Sequence, residues 1–152
     1  MKLLLTVVIV LLALLAAAML WVRLAPVNAA RWHVDLTGPV APRANAAFCP
    51  APGARVTFPP EDMARLDAIA LATPRTRVLA GSAAEGHVTY ITRSALWGFP
   101  DYTTVQVRGG QICAVARQGI GLEDLGVNAA RLGGWLQELG GLTEAPDLVW
   151  AP

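Results

Sequence analysis

The hydrophobic pattern changes character along the chain. From Leu3 to Val22 every position but Thr6 is apolar. At roughly 1.5 Å of rise per residue, a helix over that run is about 30 Å long, the thickness of a bilayer's hydrocarbon core. Trp21 then falls at the aromatic belt and Arg23 just beyond it. The competing reading is a cleaved signal peptide, with Lys2 as its charged start, Leu3 to Leu15 as its apolar stretch and Ala16-Ala17-Ala18 as its cut site. Cleavage there would strand Met19, Leu20, Trp21 and Val22 at a new N-terminus, so the pattern favours a retained anchor over residues 1–23. Lys2 and the amino terminus compete with Arg23 and Arg31 on the positive-inside rule, and we expect the N-terminus inside and the remaining chain outside.

Residues 24–60 lose this regularity. Pro26, Pro39, Pro42, Pro50, Pro52, Pro59 and Pro60 exclude a continuous helix and predict a tether or wrapping arm. Within it Trp32-His33-Val34-Asp35 is amphipathic enough to dock on a domain. From residue 61 the pattern is that of a small soluble domain reaching to 152. Pro59-Pro60-Glu61-Asp62 opens a helix whose apolar positions are Met63, Leu66, Ile69 and Ala70, ended by Pro74. Strands follow over 76–80 and 87–93. Tyr102 to Arg108 and Gln111 to Arg117 flank Gly109-Gly110, a pair suited to the positive φ angles of a primed hairpin turn. In that register Val107 faces Ile112 and Val105 faces Ala114. A second helix over Asn128–Leu139, with Asn128 as its cap, carries Leu132, Trp135, Leu136 and Leu139 on one stripe. Gly133 borders the stripe, whereas Gly134 on the other side has no reason legible in the sequence. The expectation is an α+β fold: an N-terminal transmembrane helix, then an antiparallel sheet of three to four strands packed with two helices.

Composition narrows the function classes. Twelve Lys and Arg stand against eleven Asp and Glu, for a net charge of +1, and 55% of the chain is hydrophobic. With no cationic excess to neutralise phosphates, a nucleic-acid partner is not expected. Arg supplies every basic residue except Lys2 and Ala is abundant, a coding bias that points to a bacterial source. Cys49, Cys113, His33 and His87 have the right chemistry for zinc, but no two lie at metal-ligand spacing, so neither metal nor other cofactor is expected. A Cys49–Cys113 disulfide suits an exported domain, while Cys113 equally suits a small buried hydrophobe.

Thr89-Tyr90-Ile91-Thr92-Arg93-Ser94, Gly98-Phe99-Pro100-Asp101-Tyr102, Asp124-Leu125-Gly126-Val127-Asn128 with Arg131, and Trp32-His33-Val34-Asp35 together resemble the uncharacterised family called domain of unknown function 1499. The resemblance runs from about Trp32 to Leu139. It implies a small domain behind a membrane segment or export signal, without an activity to carry over. Gly119 and Ala129 stand where members often have basic residues, which weakens an anion-binding role for the patch around Arg117.

Asp101, Asp124, Arg93, Arg117 and Arg131 are the charged residues of those motifs. Acid and base chemistry is one reading, if burial splits the carboxylate pKa values. Structural ion pairing is the plainer one, with Asp101 in a turn and Asp124 before a helix N-terminus. Arg131, in the first turn of that helix, opposes the dipole and needs a specific carboxylate or ligand partner. No P-loop, nucleophile elbow or dinucleotide fingerprint is present. Trp97 and Phe99 flank Gly98 in an inter-strand loop and suit either core packing or an apolar binding surface. The leading expectation is therefore a membrane-anchored protein of the bacterial envelope, single-pass in the inner membrane with a periplasmic domain. That domain binds a lipid, a small apolar ligand or an envelope protein through Arg93, Trp97, Phe99, Asp101, Tyr102, Arg117, Asp124, Asn128 and Arg131. The alternatives are an enzyme of unassigned class using Asp101 or Asp124 with Arg93 or Arg117, and secretion after signal cleavage.

Overall fold

The structure is a computed structural model that describes residues 1–38, 45–51, 53–121, 123–144 and 146–148. Pro39, Pro42 and Pro52 of the arm lie outside the described residues. Helix α1 (Lys2–Leu24) is long and apolar enough to cross a membrane and buries none of its residues. A one-turn helix α2 (Ala29–Trp32) follows, then β1 (Ala46–Phe48), a 3-10 turn (Pro60–Asp62) and α3 (Met63–Ala72). Strands β2 (Thr76–Ser82), β3 (His87–Arg93), β4 (Pro100–Arg108) and β5 (Gln111–Gln118) precede α4 (Val127–Gly140).

The sheet has five strands, in the order β1-β5-β4-β3-β2, all antiparallel, rather than the three to four expected. The additional strand is β1, which pairs Ala46 with Ala116 and Phe48 with Ala114. Three residues of Ala-Ala-Phe among prolines show no legible alternation, and an edge position is where a short strand beside proline is tolerated. The central hairpin has the expected register, Val107 opposite Ile112 and Val105 opposite Ala114, turning on Gly109 and Gly110 at φ +57° and +76°. Both angles lie where a side chain is strained, hence the glycine pair.

Strand alternation divides the sheet into two covered faces. On the inner face Val88, Tyr90, Val105, Ile112, Ala114 and Ala116 meet α3 through Met63, Leu66 and Ala70, and α4 through Leu132, Trp135, Leu136 and Leu139. Trp135 stands edge-on to Tyr90 at 5.7 Å, and Tyr90 donates its hydroxyl hydrogen to Asp67 at 2.7 Å. On the outer face Leu36 and Val34 of the arm close over Ala47, Cys113 and Val115. Cys49 and Cys113 are joined as a disulfide, which ties the chain after β1 to β5. The arm is thus packed: the Leu36 N–H and the Asp35 carboxylate both engage the Gln106 amide.

Candidate functional site

β3 ends and β4 begins at one end of the sheet, where Arg93 pairs with Pro100. β5 ends there too, since the Gly119 N–H donates to the Pro100 carbonyl at 2.8 Å. The loops 94–99 and 119–126 and the start of α4 therefore share this end, and α1 terminates against it. Arg23 donates to the carbonyls of Ala95 (2.9 Å) and Leu96 (2.7 Å). In return Arg93 donates to the carbonyl of Val22 at 2.9 Å and to that of Gly98 at 2.7 Å. Gly98 has φ +75°, and a Cβ there would lie 2.5 Å from the Arg23 side chain, so only glycine fits the joint. Trp97 and Phe99 stack on each other at 5.9 Å, both half-buried. Leu96, Ile120, Leu125 and Val127 form an exposed apolar rim around them, Leu125 being 90% exposed.

The outer face beneath the joint is aromatic and cationic. Trp32 stacks on Tyr102 at 3.8 Å, and the Arg117 and Arg31 guanidinium groups lie over its ring at 5.2 and 5.3 Å. Arg117 also donates to the Trp32 carbonyl at 2.6 Å, which Thr104 shares. Burial pulls Arg117 below the usual guanidinium value and pushes the Tyr102 hydroxyl up, the latter opposed by the Arg93 and Arg31 charges. Farther along, His33 and His87 stack at 3.8 Å. His33 shares a hydrogen with the Thr89 hydroxyl at 2.9 Å, and His87 donates from Nε2 to the Val34 carbonyl at 3.0 Å. The four residues weighed for zinc are thus a disulfide and a stacked pair. Among the described residues no group of three or more His, Cys, Asp or Glu is arranged to hold a metal ion.

Asp101 and Asp124 belong to the inner side, where α4 begins. Asp101 pairs with Arg131 at 3.0 Å, which supplies the partner that Arg131 requires. The helix starts earlier than the pattern predicts, so Arg131 lies past its first turn and the dipole conflict is weaker than expected. Asn128 is not the cap. It is fully buried with its side-chain carbonyl accepting from Arg131, while the Asp124 carboxylate accepts the N–H groups of Asn128 (2.8 Å) and Gly126 (3.2 Å). Gly126 stands in the left-handed region at the helix start, a conformation a capping Asn does not need. Desolvation holds the Asp101 carboxyl above its ordinary value despite the Arg131 charge. For Asp124 burial pushes upward, but the N–H groups of Asn128 and Gly126 prevail and its pKa is lowered.

The expected grouping of Asp101 or Asp124 with Arg93 or Arg117 is not assembled. Neighbours along a strand point to opposite faces, so Tyr102 and Arg117, opposite each other in register, lie under Trp32 while Asp101 turns to α4. Arg93 gives its Nη1 hydrogens to the joint. Beside the Asp101–Arg131 pair a groove of about 620 Å³ runs between α4 and the ends of β2 and β3, lined by Arg75, Trp135 and Gly134 among others. A Cβ on Gly134 would touch nothing, so its place is the groove's open wall. Arg31 at this end carries no site signal in the sequence, although the motif beginning at Trp32 adjoins it.

No curated protein and no solved structure matches the chain. The family model described as "Protein of unknown function (DUF1499)" matches residues 41–139, from the segment before β1 through α4, and so takes in the whole sheet, Asp101, Asp124 and Arg131. With most of its length covered by that model, the chain belongs to the DUF1499 family.

Proposed function

We propose that the protein is a single-pass, membrane-anchored envelope domain that sits directly on the bilayer, with a binding role rather than a catalytic one. In this reading α1 is retained, the domain faces the periplasm, and the loop carrying Trp97 and Phe99, with the apolar rim of that end, contacts the lipid interface. The joint is the observation that carries it. Arg23 and Arg93 donate hydrogen bonds across it in both directions, so the loop with Trp97 and Phe99 is held where α1 leaves the apolar layer. Trp and Phe at that height suit the interfacial belt. The exposed rim gives the same end an apolar surface, while the opposite hairpin tips at 83–86 and 109–110 bear no exposed large hydrophobic residue.

The full chain reconstituted with lipids brominated near the headgroup tests this reading. Trp97 is expected to be quenched, so Trp97→Phe should lower the quenched share of emission. An unchanged share in a folded Trp97→Phe chain would remove the loop from the interface. Protease added outside intact spheroplasts should digest the domain, and protection would reverse the orientation. The intact mass of the extracted protein should include Leu3 to Val22; a chain lacking them is the secreted form.

A further inference from the structure

Between the last turn of α1, the start of the arm and the outer face of the sheet lies a cavity of about 290 Å³. Its wall includes Trp21 and Val22 of α1, Arg31 and Trp32 of α2, Arg93 of β3 and Tyr102 of β4. Gly119 completes it at the end of β5, where a Cβ would press on the Tyr102 ring at 2.8 Å. The cations on this wall are Arg31 and Arg93.

The charge around this cavity is one-sided. Among the described residues the ion pairs are Asp62–Arg65 and Asp101–Arg131, neither of which involves the cavity. Arg31 and Arg93 on the wall have no carboxylate partner, nor has Arg23 at the joint. Arg77 is a further cation in the cross-strand row that reaches Tyr102 through Ile91. Guanidinium groups gathered without counter-charge repel one another and favour an anion between them, and their planar donor fork fits phosphate oxygens. The cavity adjoins the last turn of α1, the level at which lipid phosphates lie if α1 spans the bilayer. Trp21 and Trp32 supply apolar faces of the kind a glycerol backbone needs beside its phosphate.

We propose that this cavity holds the headgroup phosphate of an anionic phospholipid from the leaflet at which α1 ends, gripped by Arg31 and Arg93 and flanked by Trp21 and Trp32. The inference rests on the membrane seating proposed above and adds a ligand class and a site to it.

The test uses the full chain in phosphatidylcholine nanodiscs containing a minority of phosphatidylglycerol, released into mild detergent and weighed by native mass spectrometry. One phosphatidylglycerol should stay with the parent chain in preference to phosphatidylcholine. Arg31→Gln, at an exposed side chain whose contact is the Trp32 ring, should cut the retained fraction about fivefold, as expected for one guanidinium at a lipid surface. Arg108→Gln, at the opposite hairpin, should leave it unchanged. Equal retention of the two lipids, or parent-like retention by Arg31→Gln, overturns the proposal. Displacement of the lipid by inorganic phosphate at constant ionic strength also overturns it, in favour of a free-phosphate site. Trp97-dependent quenching is measured in discs of the same composition made with brominated phosphatidylcholine: if it persists while lipid preference is absent, the headgroup site alone fails, and if it vanishes too, the seating fails with it.

Discussion

Asp101 and Asp124 stand at the same end of α4, and their surroundings move their acidities in opposite directions. Asp124 is stabilised as an anion by the N–H groups of Asn128 and Gly126, against the push of burial. A lowered folded pKa gives stability that is fully present above the ordinary carboxylate value and is lost as pH falls through the folded one. Asp124→Ala should therefore destabilise the fold by about 1–2 kcal/mol at neutral pH, the usual loss for a helix cap, and the loss should shrink in acid. Chemical denaturation at two pH values measures both, and an Ala variant with the parent's midpoint at neutral pH would refute the capping role. Asp101 has the reverse sign. Its raised pKa favours folding below the ordinary carboxylate value, and that contribution fades as pH rises through the folded value. Replacing it with Asn should flatten the fall on that side, while leaving Arg131 half-buried without a counter-charge. That these two acids have different partners was not legible in the sequence, because which face Asp101 takes follows from the register of β4. That Asp124 serves the helix start was legible, since an acid before a helix is favoured wherever the sheet lies.

At the level of elements, local chemistry decided what could be read. The β4–β5 hairpin was legible because a glycine pair between alternating strands leaves few other turns, and α4 because its stripe repeats over about two turns. β1 was not: Ala46, Ala47 and Phe48 gain their strand geometry from β5 and are held near it by a bond that closes a loop of 64 residues. Removing that bond with Cys49→Ala and Cys113→Ala should lower stability by about 2–4 kcal/mol, read as a fall in denaturation midpoint with a steeper slope, since the unlinked denatured chain exposes more surface. A midpoint equal to the parent's would mean that the reduced chain is already as constrained. The arm has a second fastening in the His33–His87 stack. Burial, and then the His87 charge, lower the His33 pKa, so the docked arm favours neutral imidazole. Docking is thus fully supported above the ordinary imidazole value and weakens as pH falls through the depressed one. Amide exchange at Leu36, whose N–H donates to Gln106, should quicken beyond the intrinsic pH effect as pH falls below the ordinary imidazole value, and His87→Gln should lessen that response.

For the whole molecule, two covered faces leave the edges and ends of the sheet free, and the end where α1 joins carries the exposed Leu96, Ile120, Leu125 and Val127. A paired Leu96→Asp, Leu125→Asp change, at side chains 65% and 90% exposed, should weaken membrane contact while leaving the melting temperature within a few degrees of the parent's. Trp97 quenching and thermal melting of the same preparation check this, and unchanged quenching would deny the rim a part in seating. The fold class was legible from periods of two and of about 3.6 residues. The site was legible only as a set of motif residues, because its parts meet through a joint between segments some seventy residues apart.

That joint also fixes how the molecule moves. Hydrogen bonds crossing it in both directions, with a glycine that admits no side chain between, make a stiff coupling at the head of the proline-rich arm. A stiff coupling transmits torque. When a spanning helix tilts to match a thinner or thicker bilayer, a domain on a leash keeps its own orientation, whereas one clamped to the helix turns with it. With α1 spanning the bilayer as proposed, its tilt would become a rotation of the sheet, lifting one side of the apolar rim and lowering the other, so that bilayer thickness would set the angle at which the domain meets its surface.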